Sequence, residues 1–155
     1  MLAILSTGCH RPSESRPQAH AVYRDARSIQ AALETGISYA EFGGLVRELA
    51  TDVKLFQDDV QLHKTMDQDA LTIIRSQDLL QAYKDSLTVW GMELRGGEED
   101  SEELRTIAKR YGAAGMLDWG DPFAGKKVNY TKIRTAAWRT ADSIQNQLTP
   151  LIEER

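Results

Sequence analysis

Ile37-Ser38-Tyr39-Ala40-Glu41-Phe42-Gly43-Gly44-Leu45-Val46-Arg47-Glu48-Leu49-Ala50-Thr51-Asp52-Val53-Lys54-Leu55-Phe56-Gln57-Asp58-Asp59-Val60 is the stretch that decides the fold. Ser38 is a good N-cap and Glu41 lies three residues on, the spacing of a capping box. Ile37 before the cap and Phe42 at the fourth helical position can close a hydrophobic staple around it. Phe42, Leu45, Val46, Leu49, Val53, Phe56 and Val60 then recur at helical spacing, one apolar stripe over about five turns. Gly43 and Gly44 lie inside the first turns at about 1 kcal/mol each against Ala and are read as tolerated there. A helix with one such stripe must bury it against other helices or a sheet.

The flanking segments supply helices. Residues 19–35 place Val22, Ala26, Ile29 and Leu33 on one side, and Gly36 supplies a stop. Thr65 with Gln68 forms a second capping-box pattern. The stripe after it runs Met66, Ala70, Ile73, Leu80, Tyr83, Leu87, Trp90 and Leu94. Gln77 interrupts it and Ser76 could cap a fresh helix. The segment is therefore either one helix of about 44 Å or two helices broken near Arg75–Ser76. Gly96-Gly97 ends it, and Asp100 with Glu103 offers a cap for a short helix over 101–111. Asn129, flanked by Val128 and Ile133, opens the last helix, which Pro150 should end or kink. Alternating Val, Ile and Thr runs are absent. The expected fold is all-α: an elongated, antiparallel, up-and-down-like bundle of four long helices plus one short helix. Residues 19–155 read as its single domain.

The chain of 155 residues carries 19 basic and 23 acidic groups, a net charge of -4. A general nucleic-acid binder is clearly basic, so no nucleic acid is expected as a partner. The lone cysteine, Cys9, excludes an intramolecular disulfide and any multi-Cys metal site. No apolar run approaches the roughly 18 residues that span a bilayer.

Residues 1–18 have a different character. Leu2-Ala3-Ile4-Leu5 is apolar, Ser6-Thr7-Gly8 is small, Cys9 follows, and then comes a polar segment with Pro12 and Pro17. Residues 2–9 resemble a bacterial lipoprotein signal, in which a small-residue box precedes a cysteine that receives lipid. Gly8 and Cys9 match that box, while Ser6 stands where leucine is more usual. The apolar run is short and no basic region precedes it, two departures from such a signal that a start upstream of Met1 would explain. The resemblance implies a lipidated Cys9, a tether over residues 10–18, and a domain held at the cell envelope on the periplasmic side. His10 follows the cysteine in place of Asp. In Gram-negative lipoproteins that implies no inner-membrane retention.

Candidate chemistry is sparse. Gly120-Asp121-Pro122-Phe123-Ala124-Gly125-Lys126-Lys127 matches G-x-x-x-x-G-K. Lys127 stands where a phosphate loop needs Ser or Thr, and no strand precedes it, so it reads as a glycine-rich loop. Asp59, His63 and Asp67 are four apart but lack the E-x-x-H context of bundle metal sites and read as a solvated linker. Asp118 and Asp121 lack the calcium-loop pattern. No cofactor, metal site or catalytic residue is assigned.

Charge is uneven. Glu93, Glu98, Glu99, Asp100, Glu102 and Glu103 face one base, Arg95, whereas Lys126, Lys127, Lys132, Arg134 and Arg139 come with no acid between them. The two blocks could attract each other, dock a partner or face water, and solvated surface is the default. The long loop 112–127 carries Met116, Leu117, Trp119 and Phe123 and is expected to fold back on the bundle. Trp119, Phe123, Lys126, Lys127, Lys132, Arg134 and Arg139 are therefore the partner-contact candidates. Trp90 is expected to face the core. Two functions fit: a lipid-anchored helical domain for protein binding or scaffolding, or a cytoplasmic helical adaptor. A ligand carrier built on Tyr83, Trp90, Trp119, Phe123 and Trp138 is disfavoured, because aromatics at helical spacing are more often core.

Overall fold

The computed structural model describes residues 17–96, 101–117 and 128–153. Among them run α1 (Pro17–Thr35), α2 (Tyr39–His63), α3 (Met66–Leu94), the short α4 (Glu102–Arg110), a 3-10 turn at Ala114–Met116, and α5 (Tyr130–Glu153). No strand occurs among the described residues, and the helices pack as a bundle.

Local chemistry sets most helix ends. Pro17 is the first residue of α1, where its missing N–H breaks no helical bond. The helix thus begins two residues before the expected start. Gly36 ends the passage out of α1 at a φ of 90°, a left-handed value open to glycine. Ser38 caps α2 as read: Glu41 N–H donates to Ser38 Oγ at 3.3 Å, and Ser38 N–H donates to Glu41 Oε2 at 3.0 Å. The Ser38 hydroxyl also donates to Glu41 Oε2 at 2.6 Å, and this bond first, then the one from Ser38 N–H, holds the Glu41 carboxyl below its usual range. Asn129 Oδ1 accepts from Lys132 N–H at 3.0 Å and caps α5, with Val128 and Ile133 both buried beside it.

Other ends depart from the sequence reading. Thr65 precedes α3 but makes no capping bond through its side chain. Ser101 caps α4, accepting from Leu104 N–H at 3.2 Å; the expected cap, Asp100, lies outside the described residues. α3 is one helix. Ser76 does not restart it, because its hydroxyl donates to Thr72 C=O in the preceding turn at 2.8 Å. α5 continues through Pro150 to Glu153. Pro150 and Asn146 are both exposed, so the carbonyl released four residues earlier opens to water.

Named contacts fix the directions. Tyr23 and Gln30 of α1 meet Thr149 and Gln145 of α5. Tyr39 and Phe42 of α2 meet Trp90 and Tyr83 of α3. Ser86 and Glu93 of α3 meet Trp138 and Arg134 of α5. Each of these pairs runs in opposite senses, and a three-residue turn reverses α1 into α2. The N-terminus of α1, the α2–α3 turn and the C-terminus of α5 therefore share one end, called here the near end. The α1–α2 turn, the exit of α3, the start of α5 and α4 share the other, the far end.

Two apolar clusters fill the interior. The larger joins Val22, Ala26 and Ile29 to Phe42, Leu49, Val53, Phe56 and Val60, then to Leu79, Tyr83, Ala141 and Leu148. The smaller, at the far end, joins Val89 of α3 to Leu104, Ile107 and Ala108 of α4 and to Val128 and Ile133. α3 belongs to both. It touches α2 and α5 and offers Val89 to α4, so its buried surface is broader than one stripe. Leu79, Ala82 and Val89 are buried, whereas Met66 and Leu94, read as core from spacing, are 46% and 62% exposed at the helix ends.

Candidate functional site

The far end carries the densest arrangement of aromatic and charged groups. Trp90 of α3 and Trp138 of α5 lie 6.2 Å apart, edge to face, and Phe42 of α2 packs on both, at 5.9 and 6.1 Å. Tyr39 adds a fourth ring 5.8 Å from Trp90. Its hydroxyl passes so close to α3 that a Cβ on Gly91 would meet it at 2.8 Å, which is why glycine suits that position. Trp138 Nε1 donates to Ser86 Oγ at 2.9 Å, and Ser86 in turn donates to Tyr83 C=O at 2.8 Å. The indole thus enters the core with its polar edge satisfied.

Arg134 closes this cluster. Its guanidinium stands 4.5 Å from the Trp90 centroid and 5.1 Å from that of Trp138, within cation–π range. It also pairs with Glu93 Oε2 at 2.5 Å, while Thr131 Oγ1 donates to the other Glu93 oxygen at 2.9 Å. The Arg134 side chain is only 12% exposed. The acidic and basic blocks of the sequence therefore meet inside the molecule at this pair, and Arg134 is engaged within the fold and does not face solvent. Lys132 and Arg139 are exposed on α5.

A second polar knot docks α4. Asp85 of α3 is nearly buried and accepts from Arg110, from Tyr111 Oη at 2.8 Å and from Gln81 Nε2 at 2.8 Å. Burial, then the bond to Asp85, pushes the Tyr111 hydroxyl well above its usual range. The bond to Asp85, then its charge, raises Arg110. In both knots the carboxylates are paired with an arginine and a hydroxyl of the chain, and Arg134 Nε is buried without a hydrogen-bond partner among the described residues.

Tyr83 is fully buried, with no hydrogen-bond partner for its hydroxyl among the described residues. Burial, and behind it the charge of Asp142, raises its ionisation out of the accessible range. Asp142 is itself raised, by burial and then by Glu34. The aromatics of the carrier reading, Tyr83, Trp90 and Trp138, are used against helix partners.

The remaining candidates are dispersed. His63 is the last residue of α2, not a linker residue, and sits 3.2 Å from Asp59 one turn earlier. Asp67 lies in the first turn of α3 beyond the α2–α3 turn, and no three His, Cys, Asp or Glu groups converge on a metal position among the described residues. Of the long loop, Ala113 is buried, and Met116 and Leu117 pack on the second cluster, as expected for a segment folded on the bundle. Trp119, Phe123, Lys126 and Lys127, with Asp118 and Asp121, lie outside the described residues, as does Cys9. No helix among the described residues is long and apolar enough to cross a membrane.

At the near end the surface changes. Leu62, in the last turn of α2, is 77% exposed, and Met66, the first residue of α3, lies just across the turn. Leu71 and Ile74, one turn apart on α3, are half exposed, as is Leu55 on α2. Sequence reasoning assigned Met66 to the core and did not single out the others; their signal was an apolar residue outside the stripe spacing.

Fold and surface together define an all-α bundle with an appended short helix. No family model matches the chain, and no curated protein or solved structure compared with it is similar.

Proposed function

We propose that this protein is a non-enzymatic helical domain, tethered at the bacterial cell envelope through lipid on Cys9, that binds or scaffolds other proteins. The observation that carries the reading is the Ser6-Thr7-Gly8-Cys9 box, whose cysteine stands eight residues before Pro17, where α1 begins. A lipidated cysteine there would be joined to the bundle by a short polar, proline-bearing segment, the arrangement that holds a folded domain beside a membrane.

The charged and aromatic groups of the far end hold helices to each other. Half-exposed Leu71 and Ile74 on α3, and exposed Lys132 and Arg139 on α5, are the described side chains offered to a protein partner. The loop carrying Trp119, Phe123, Lys126 and Lys127 extends that list. Expression of the full chain with its upstream sequence, followed by separation of membrane and soluble fractions, tests the tether. Membrane recovery that requires detergent, and its loss in Cys9→Ser, is the expected result. Equal partition of both proteins into the soluble fraction would favour the cytoplasmic adaptor instead.

A further inference from the structure

We infer that the α2–α3 turn is a second membrane contact: Leu62 and Met66 rest in the lipid headgroup layer and hold the bundle end-on, with its far end away from the bilayer. The inference rests on the Cys9 tether proposed above. It is carried by where the chain enters the fold. The Arg24–Asp52 ion pair at 3.9 Å and the Tyr23–Thr149 contact fix α1 against α2 and α5. Counting along antiparallel helices from those contacts, Pro17 lies beside α2 near residue 59, within about two turns of Leu62. The chain from Cys9 to Pro17 is eight residues long and reaches at most about 28 Å when fully extended. A lipid on Cys9 therefore draws this end, and not the aromatic end, to the membrane.

The chemistry of the tip suits that surface. Leu62 is the most exposed large apolar side chain among the described residues, and Met66 follows it across a turn held by the left-handed Lys64. Acids outnumber bases around the tip. Lys54 bonds Asp58 at 3.0 Å, Asp59 sits against His63 at 3.2 Å, and Lys64, Asp67 and Glu153 are exposed. Such a surface has no net pull toward anionic lipid, so the contact is made by apolar side chains at the headgroup boundary. The exposed bases of α5, Lys132 and Arg139, belong to the opposite half of the molecule and would face away.

The single cysteine makes the test direct. Full-length protein carrying Met66→Trp is coupled through Cys9 to a maleimide-headgroup lipid in phosphatidylcholine vesicles whose acyl chains are brominated. Both this protein and the one that keeps Met66, coupled in the same way, carry Trp119→Phe, because Trp119 lies outside the described residues, so that the native emission comes from Trp90 and Trp138 at the far end as internal controls. The added indole should shift to the blue and be quenched by about twofold or more, as expected for a ring seated at the headgroup–acyl boundary. The far-end emission should be unchanged, and the result should be the same in high salt. Adding Leu62→Asp should abolish the quenching. An unquenched added indole, quenching of the native tryptophans, loss of quenching in salt, or a blue shift already present without vesicles would each overturn the proposal. The last outcome would mean that the chain's own apolar start covers the tip. Because the lipid is attached chemically, the result does not depend on whether cells lipidate Cys9.

Discussion

The two ends of the bundle are held by different physics. At the far end, four aromatic rings, the Arg134–Glu93 pair and the Asp85–Arg110–Tyr111 knot join α2, α3, α4 and α5 through directional contacts. Toward the near end, the interior is mainly apolar, built from Val53, Phe56 and Val60 with Leu79 and Leu148, α3 burying Asp69, Thr72 and Ser76 as well, while Leu62 and Met66 are left facing outward. The far end uses its charged and aromatic chemistry within the molecule, with Leu94 left exposed at the exit of α3. An end that leaves large apolar side chains without a partner has surface available for contact.

The strongest way to break the comparison is to remove the far-end aromatic centre. Trp90→Ala should lower stability by about 3–5 kcal/mol, read by chemical denaturation, because its ring touches three others and carries Arg134 on its face. Wild-type stability in that variant would place Trp90 outside the core. Asp85→Ala comes next, at about 2 kcal/mol, since it strips charged hydrogen bonds from Arg110 and Tyr111. Hydrogen exchange should show the loss concentrated in α4. Uniform loss over all helices would mean that the knot is not local to α4.

Smaller effects sharpen the contrast. Ser38→Ala should cost about 1 kcal/mol, the usual loss of a capping bond, and an unchanged denaturation midpoint would rule out the box. Asp25 on α1 faces Asp52 of α2, and burial first, then the Asp52 charge, raises its carboxyl above the usual range. Its folded state therefore holds a proton more tightly than the unfolded chain. The stability it lends is present below the unfolded value and is lost as pH rises through the folded one. Asp25→Asn should raise the thermal midpoint at neutral pH by the equivalent of less than about 1 kcal/mol, with the gain fading toward the acid carboxylate range. A gain that grows in acid would contradict the assignment. Last, Leu62→Ser should change stability by no more than about 0.5 kcal/mol, because the side chain has little fold to support.

The same contrast explains what the sequence could reveal. The stripe of α2 was legible because that helix buries one face, and the Ser38 and Asn129 caps because their bonds are made within four residues. α3 was harder. It has neighbours on more than one side, so single-stripe spacing overlooked Leu79 and Val89 and assigned Met66 and Leu94 to the core. Pairing of Glu93 with Arg134 spans 41 residues, and only the opposed charge blocks hinted at it. Asp85 carried no local signal at all, being one acid on a helix until Arg110 and Tyr111 arrive from another. The near-end surface was missed for the opposite reason: a stripe search discards Leu62, which lies off the stripe.

The central claim is that lipid on Cys9 gives the bundle a membrane-facing end. Mass spectrometry of the native protein purified from cells tests it most directly. The account predicts a mature chain that begins at Cys9 and carries an acyl-glyceryl mass on that residue. A chain that retains Leu2–Gly8 with an unmodified Cys9 thiol would contradict it.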